Sequence, residues 1–192
     1  MKLVTIFGGP RKQGNTATVL GWVEDEARAE GHDVARFDLN ELTFNGCQAC
    51  YACAGTMDAP GCVQEDDALE IFDAMIGANA ILYAAPLYMW GIAGRLKQLF
   101  DRSLCLVKDY MGPNYTSLIG GKRTSLLVTC MGPIEGNADL VAPQFARFTG
   151  YAKMDAIDPW IIPGCAEPGA LSDDVKRAAA AFAERLLGGS RE

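Results

Sequence analysis

Two stretches of the chain hold residue types that do chemistry as a group. The first is CQACYACAGTMDAPGC, in which Cys47, Cys50, Cys53 and Cys62 follow the pattern C-x-x-C-x-x-C-x8-C. Three thiols at three-residue steps can surround a compact centre from one turn of chain, and a fourth can close it. Thiolates suit iron–sulfur clusters and zinc. Zinc held by four thiolates more often uses two separated pairs, so the crowding of three favours a 4Fe-4S cluster. Structural zinc and free thiols stay open as alternatives. In a reducing compartment such a cluster binds metal or does redox chemistry more often than it forms disulfides. The other three cysteines, Cys105, Cys130 and Cys165, are scattered and read as small buried hydrophobes.

The second stretch is GGPRKQGNT, where Gly9 to Thr16 reads G-x-x-x-x-G-N-T. A triphosphate-binding loop reads G-x-x-x-x-G-K-[ST] and works with a magnesium-holding aspartate. Here Asn15 replaces the lysine, and no aspartate ends the apolar runs AILYAAP or SLLVTC. A nucleotide triphosphatase therefore lacks two parts. A single terminal phosphate needs less: turned backbone N–H groups, a helix start, a hydroxyl and one guanidinium. Gly9 and Gly14 allow the turn, and Arg11, Asn15 and Thr16 are the oxygen partners.

These groups need a scaffold, and the apolar pattern supplies one. KLVTIF (2–7), DVARFDL (33–39), AILYAAP (80–86), KRTSLLVTC (122–130) and, more weakly, AKMDAIDPWII (152–162) read as strands. Segments with helical spacing alternate with them: TATVLGWVEDEARAEG, DDALEIFDAMIGA, IAGRLKQLFDRSL, ADLVAPQFARFTG and SDDVKRAAAAFAERLLGG. Pro143 must lie in the first turns of the fourth helix or kink it. Alternating strands and helices predict a parallel sheet with right-handed crossovers. One doubly wound α/β domain over 1–192 results, with a cysteine-rich insertion at about 43–65. In such sheets ligands bind beyond the carboxyl ends of the strands. The glycine loop and the loops after the third and fourth strands all fall there.

Lys plus Arg is 17 and Asp plus Glu is 24, a net charge of −7. This balance argues against non-specific nucleic-acid binding and against a basic membrane patch. Residues 74–94 carry no charge and are long enough to cross a bilayer. Their alanines, glycines, Asn79 and Pro86 instead read as a helix end, a buried strand and a loop. A cytoplasmic location is expected. His32, the only histidine, falls in the turn EGHDV and reads as solvated.

GGPRKQGNT resembles the G-S-P-R-x-x-G-N-T loop of NAD(P)H-dependent FMN reductases with the flavodoxin-like fold; the family's Ser is Gly9 here. PLYMWGIAGRLKQLFDR (86–102) is similar to the same family's P-x-Y-x-x-x-x-x-x-x-L-K-x-x-x-D-R segment, which wraps the flavin ring in relatives. The resemblance implies a five-stranded parallel sheet in the order 2-1-3-4-5, helices on both faces, and FMN bound without a covalent link. It implies that the loop holds the FMN phosphate. Pro86, Leu87, Tyr88, Met89 and Trp90 would pack at the ring, and Thr129, Met131 and Gly132 would form a third wall. The cysteine segment lies where the iron–sulfur flavoproteins of the family carry their four-cysteine motif. By that resemblance Cys47, Cys50, Cys53 and Cys62 each bind one iron of a 4Fe-4S cluster, although the last gap is longer than usual. Electrons would pass from NAD(P)H or ferredoxin to a quinone, oxygen or a redox protein. In relatives the cluster of one subunit faces the flavin of another, implying a homodimer or homotetramer. Two other readings are a flavodoxin-like electron carrier or redox sensor without a cluster, and a phosphate-binding regulator with structural zinc.

Overall fold

The computed structural model describes residues 1–169 and 171–188. Every apolar run singled out above forms extended structure. The strands are β1 (Lys2–Phe7), β2 (Asp33–Asp38), β3 (Ala80–Tyr88), β4 (Gly91–Ile92), β5 (Val107–Lys108), β6 (Thr116–Ser117), β7 (Arg123–Thr129), β8 (Asp155–Ala156) and β9 (Trp160–Ile162). The helices are α1 (Asn15–Ala29), α2 (Ala68–Ile76), α3 (Gly94–Arg102), α4 (Val141–Tyr151) and α5 (Asp173–Leu187). Pro143 is the third residue of α4. Its missing N–H falls where no helical acceptor exists, so it starts the helix without kinking it.

The main sheet runs β2-β1-β3-β7-β8, with β9 also on β7 and β4 on β3. Pairing is parallel except for β3–β4. This is the flavodoxin-like order, but with seven strands where five were expected. One reason lies in the fifth position. Arg123 and Thr124 pair with β8, Leu127 to Thr129 pair with β9, and the chain between them leaves the ladder. Pro159 has no N–H to donate there, and the Asp158 carbonyl instead accepts the Ser125 hydroxyl at 3.1 Å. The other reason is β4, which folds back on the end of β3. A separate ribbon, β5–β6, stands outside this sheet.

Alternation along the central strands divides the core in two. Leu3 and Phe7 of β1 and Ala80, Leu82 and Ala84 of β3 pack under α1 and α5. Val4, Ile6, Ile81, Tyr83 and Ala85 pack under α2, α3 and α4. Both faces are covered, which is why these strands read as continuous apolar runs. One charge enters the first layer. Glu24 of α1 accepts the Thr5 hydroxyl at 2.6 Å and lies 3.5 Å from Arg36 of β2. Among the described residues no helix is long and apolar enough to cross a membrane.

Candidate functional site

The glycine loop leaves β1 and enters α1 beneath a cleft at the carboxyl ends of β1, β3 and β7. Gly8 N–H donates to the Ala84 carbonyl (2.8 Å), and the Asn40 amide donates to the carbonyls of Gly9 (2.9 Å) and Gly8 (3.4 Å). The loop carbonyls are thereby occupied on the side of Asn40. A Cβ at position 9 would come within 2.5 Å of the Phe7 ring, so Phe7 leaves room only for glycine there. Gly14 precedes α1 with no side-chain cap, and the first turn contains no acid. The N–H groups of Asn15, Thr16 and Ala17 precede any helical acceptor. An uncapped, uncountered helix start is a ready anion site.

Thr16 is buried, and its hydroxyl meets that of Thr129 at 2.7 Å. One proton lies between the two oxygens, leaving the other free to donate. Arg11 is exposed at the rim. Neighbouring Lys12 pairs with Glu41. Asn15 lines the cleft, but its amide donates to the Glu167 carbonyl (2.8 Å), and its side-chain oxygen accepts from Gly169 N–H (3.0 Å). It therefore fastens the segment after β9 across the cleft.

Opposite the loop, β3 turns into β4 through Met89 and Trp90, both at positive φ (47° and 62°). A two-residue hairpin of this kind normally uses Asn-Gly, because side chains disfavour φ > 0. Both residues are exposed (83% and 57%), as is Tyr88. Backbone strain and exposed apolar surface thus coincide at this hairpin tip.

The second hollow is small and lined by all four clustered cysteines, with Arg102 and Cys105. Two arginines of α3 hold the loop that carries it. Arg95 donates to the carbonyls of Leu39, Leu42 and Phe44 and stacks on the Phe44 ring at 4.0 Å. Arg102, buried, donates to both oxygens of Asp66 (2.7 and 3.0 Å) and to the carbonyls of Asn45 and Gln64. Within the loop Ala49 and Tyr51 take positive φ, 52° and 58°. Among the described residues, no three of these thiols form a group suited to a metal ion. The fit to a cubane rests on the donor set: four cysteines on one hollow, bent round it by two strained residues. Each thiolate of a cubane binds a different iron and sits farther from its neighbours than around a single zinc. Cys53 is raised above the usual thiol pKa by burial, with Lys108 opposing. Burial, with nearby Cys62 and Cys53, pushes Cys105 up to about 12, so it stays a thiol.

A family model described as NADPH-dependent FMN reductase matches residues 1–144. This chain belongs to the NADPH-dependent FMN reductase family. It stands with the family's iron–sulfur flavoproteins. One, from Methanosarcina thermophila, is 37% identical over 129 residues, covering 64% of this chain and 65% of that protein. Another, from Archaeoglobus fulgidus, is 33% identical over 103 residues, covering 54% and 49%. The match thus spans half to two-thirds of these relatives' length. In fold the chain is similar to an FMN-dependent NADH-azoreductase from Bacillus anthracis solved in complex with FMN. The TM-score is 0.67 at 14% identity, over 97% of this chain and 99% of that one.

Of the residues that the family resemblance points to, Gly9, Arg11, Gly14, Asn15, Thr16, Pro86, Leu87, Tyr88, Thr129 and Met131 converge on the cleft. Met89, Trp90 and Gly132 lie outside its lining. The FMN reductase segment ending in Asp101-Arg102 runs from the cleft to the cysteine hollow, which Arg102 lines. Sequence reasoning missed the far wall, formed by Cys130 and by Cys165 to Pro168. Cys165 N–H donates to the Cys130 carbonyl at 2.9 Å, continuing the β7–β9 pairing into the cleft. Burial raises both thiols, and Cys130 adds to the rise at Cys165. The signal available was PGCAEP: a glycine-proline turn directly after a strand on the ligand side of the sheet.

Proposed function

We propose that this chain is an oxidoreductase that binds FMN in the cleft beyond β1, β3 and β7. It would receive electrons from NAD(P)H or ferredoxin and deliver them to a quinone or other small acceptor, or to a redox protein. The single observation carrying the reading is the bare start of α1. It offers unpaired N–H groups and a hydroxyl, with no capping side chain and no acid. The N–H groups of Asn15 to Ala17, the free Thr16–Thr129 hydroxyl proton and Arg11 would hold the phosphate. The backbone of Pro86 to Tyr88 would orient the ring, while Met89 and Trp90 at the hairpin tip would shield it from water. When bound, FMN supplies two-electron acceptance and one-electron release. The azoreductase of similar fold is solved with FMN, which supports this use of the cleft.

Cys47, Cys50, Cys53 and Cys62 would hold a 4Fe-4S cluster, supported by the shared hollow and by the iron–sulfur flavoprotein relatives. A second copy would cover the exposed Tyr88, Met89 and Trp90 in a homodimer or homotetramer. A cytoplasmic setting would keep the thiols reduced. The ungrouped thiols favour a second reading, a flavodoxin-like carrier or redox sensor without a cluster.

Purification without oxygen, followed by absorption spectroscopy, iron and sulfide analysis and NAD(P)H oxidation assays, tests the scheme. Flavin bands with a broad brown shoulder, stoichiometric iron and turnover are expected. Yellow protein free of iron would leave the second reading. Failure to take up FMN at millimolar excess would end both.

A further inference from the structure

Beside the cysteine hollow the structure buries two cations, and among the described residues only one of them, Arg102, is paired with a carboxylate. Arg102 faces the thiols, its side chain 1% exposed. It is paired with Asp66, yet its Nε has no hydrogen-bond partner. Lys108, on β5, is also 1% exposed. Its ammonium donates to the Pro60 carbonyl at 3.0 Å, two residues before Cys62. Among the described residues it forms no ion pair. Burial lowers its pKa, and the charges of Cys105, Cys53 and, last, Asp58 oppose that effect. Lysine is almost never fully buried unless paired, because an ammonium removed from water without an anion is costly. The unpaired ammonium calls for an anion, and the groups that act on it are Cys105, the clustered Cys53 and the carboxylate of Asp58.

We propose that Lys108, together with Arg102, forms a fixed cationic floor beneath the sulfur ligands of the cluster and raises its reduction potential. The inference rests on the cluster reading above. A cluster held by four thiolates is negatively charged and gains a further negative charge on reduction. Fixed positive charge therefore stabilises the reduced form more than the oxidised form. Arg102 also fastens the cysteine loop through Asn45, Gln64 and Asp66, so its removal would mix electrostatics with folding. Among the described residues the Lys108 side chain makes one hydrogen bond, to the Pro60 carbonyl. Glutamine can keep an N–H donor near that carbonyl while removing the charge, which makes Lys108 the cleaner probe.

The test uses the full chain reconstituted with iron and sulfide without oxygen, as the parent protein and as Lys108→Gln and Lys108→Arg. Iron and sulfide content is measured, and the cluster is titrated by electron paramagnetic resonance against potential. Lys108→Gln should keep its iron and shift the midpoint to a lower potential, and Lys108→Arg should restore the parent value. Iron lost in Lys108→Gln and regained in Lys108→Arg supports the same charge requirement. An unchanged midpoint in iron-replete Lys108→Gln overturns the cationic floor and leaves the cluster reading standing. Iron lost from both variants marks Lys108 as structural and overturns it too. A parent protein that takes up no iron or sulfide overturns the cluster reading and this inference with it.

Discussion

Thr16 joins two roles in one hydroxyl: it ties α1 to β7 through Thr129, and it stands at the start of the helix facing the cleft. Replacing it by valine removes a donor with little change of volume. FMN affinity should fall by about 1–3 kcal/mol, read by titrating the quenching of flavin fluorescence; unaltered affinity would move the phosphate elsewhere. Met89 and Trp90 make the converse case, since their backbone favours other residues. The double variant Met89→Asn, Trp90→Gly should stabilise the fold by about 1 kcal/mol, seen as a higher melting temperature. It should also slow NAD(P)H-driven turnover, because the apolar tip is lost. Faster or equal turnover would show that the strained pair has no part in the site.

The two long helices sharing a face of the sheet begin in opposite ways. α5 starts at Ser172, whose hydroxyl accepts from Val175 N–H, and follows it with Asp173 and Asp174. α1 starts at Gly14 with neither cap nor acid. A start built for stability would look like that of α5. Ser172→Ala should cost about 1 kcal/mol in denaturant melts without changing flavin retention. Gly14→Asp should do the reverse. It places a carboxylate where the anion belongs, close against Arg11, and should strip flavin from the purified protein while leaving the melting temperature within a few degrees. Equal flavin content in Gly14→Asp and the parent would argue against an anion at this helix start.

Across the molecule, α3 fastens the cysteine-bearing loop, since its arginines hold the chain from Leu39 to Asp66. Burial alone would raise the pKa of Asp66, but the Arg102 hydrogen bonds, with help from Asn45 N–H, bring it below the usual carboxylate value. A carboxyl depressed on folding contributes stability that is complete above its unfolded pKa, about 4. That contribution is lost as pH falls through the folded value. The protein should lose stability below about pH 4, and Asp66→Asn should flatten that part of the profile. At neutral pH the same substitution should cost about 3–5 kcal/mol, because Arg102 is left buried and uncompensated. Denaturant midpoints across pH check both points; parallel profiles for parent and variant would deny Asp66 this role.

The sequence by itself determined the five principal strand positions and the five helices, and its resemblance implied the sheet order. Apolar runs covered on both faces and helical spacing are local signals that survive in one dimension. It also pointed to the glycine loop that lines the cleft, because glycines and the residues between them act through neighbouring backbone. The tertiary structure decided what depends on distant partners. Pro159 divides the fifth position only because β7 is there to pair with, and Asn15 fastens the segment after β9 instead of standing free. Cys165 reaches the cleft through its bond to Cys130. Nothing in the string VKDY signals that Lys108 is buried; its ammonium reaches the Pro60 carbonyl, 48 residues away in the cysteine loop. Long-range burial leaves no periodic trace in a sequence, and burial is what gives such a charge its effect.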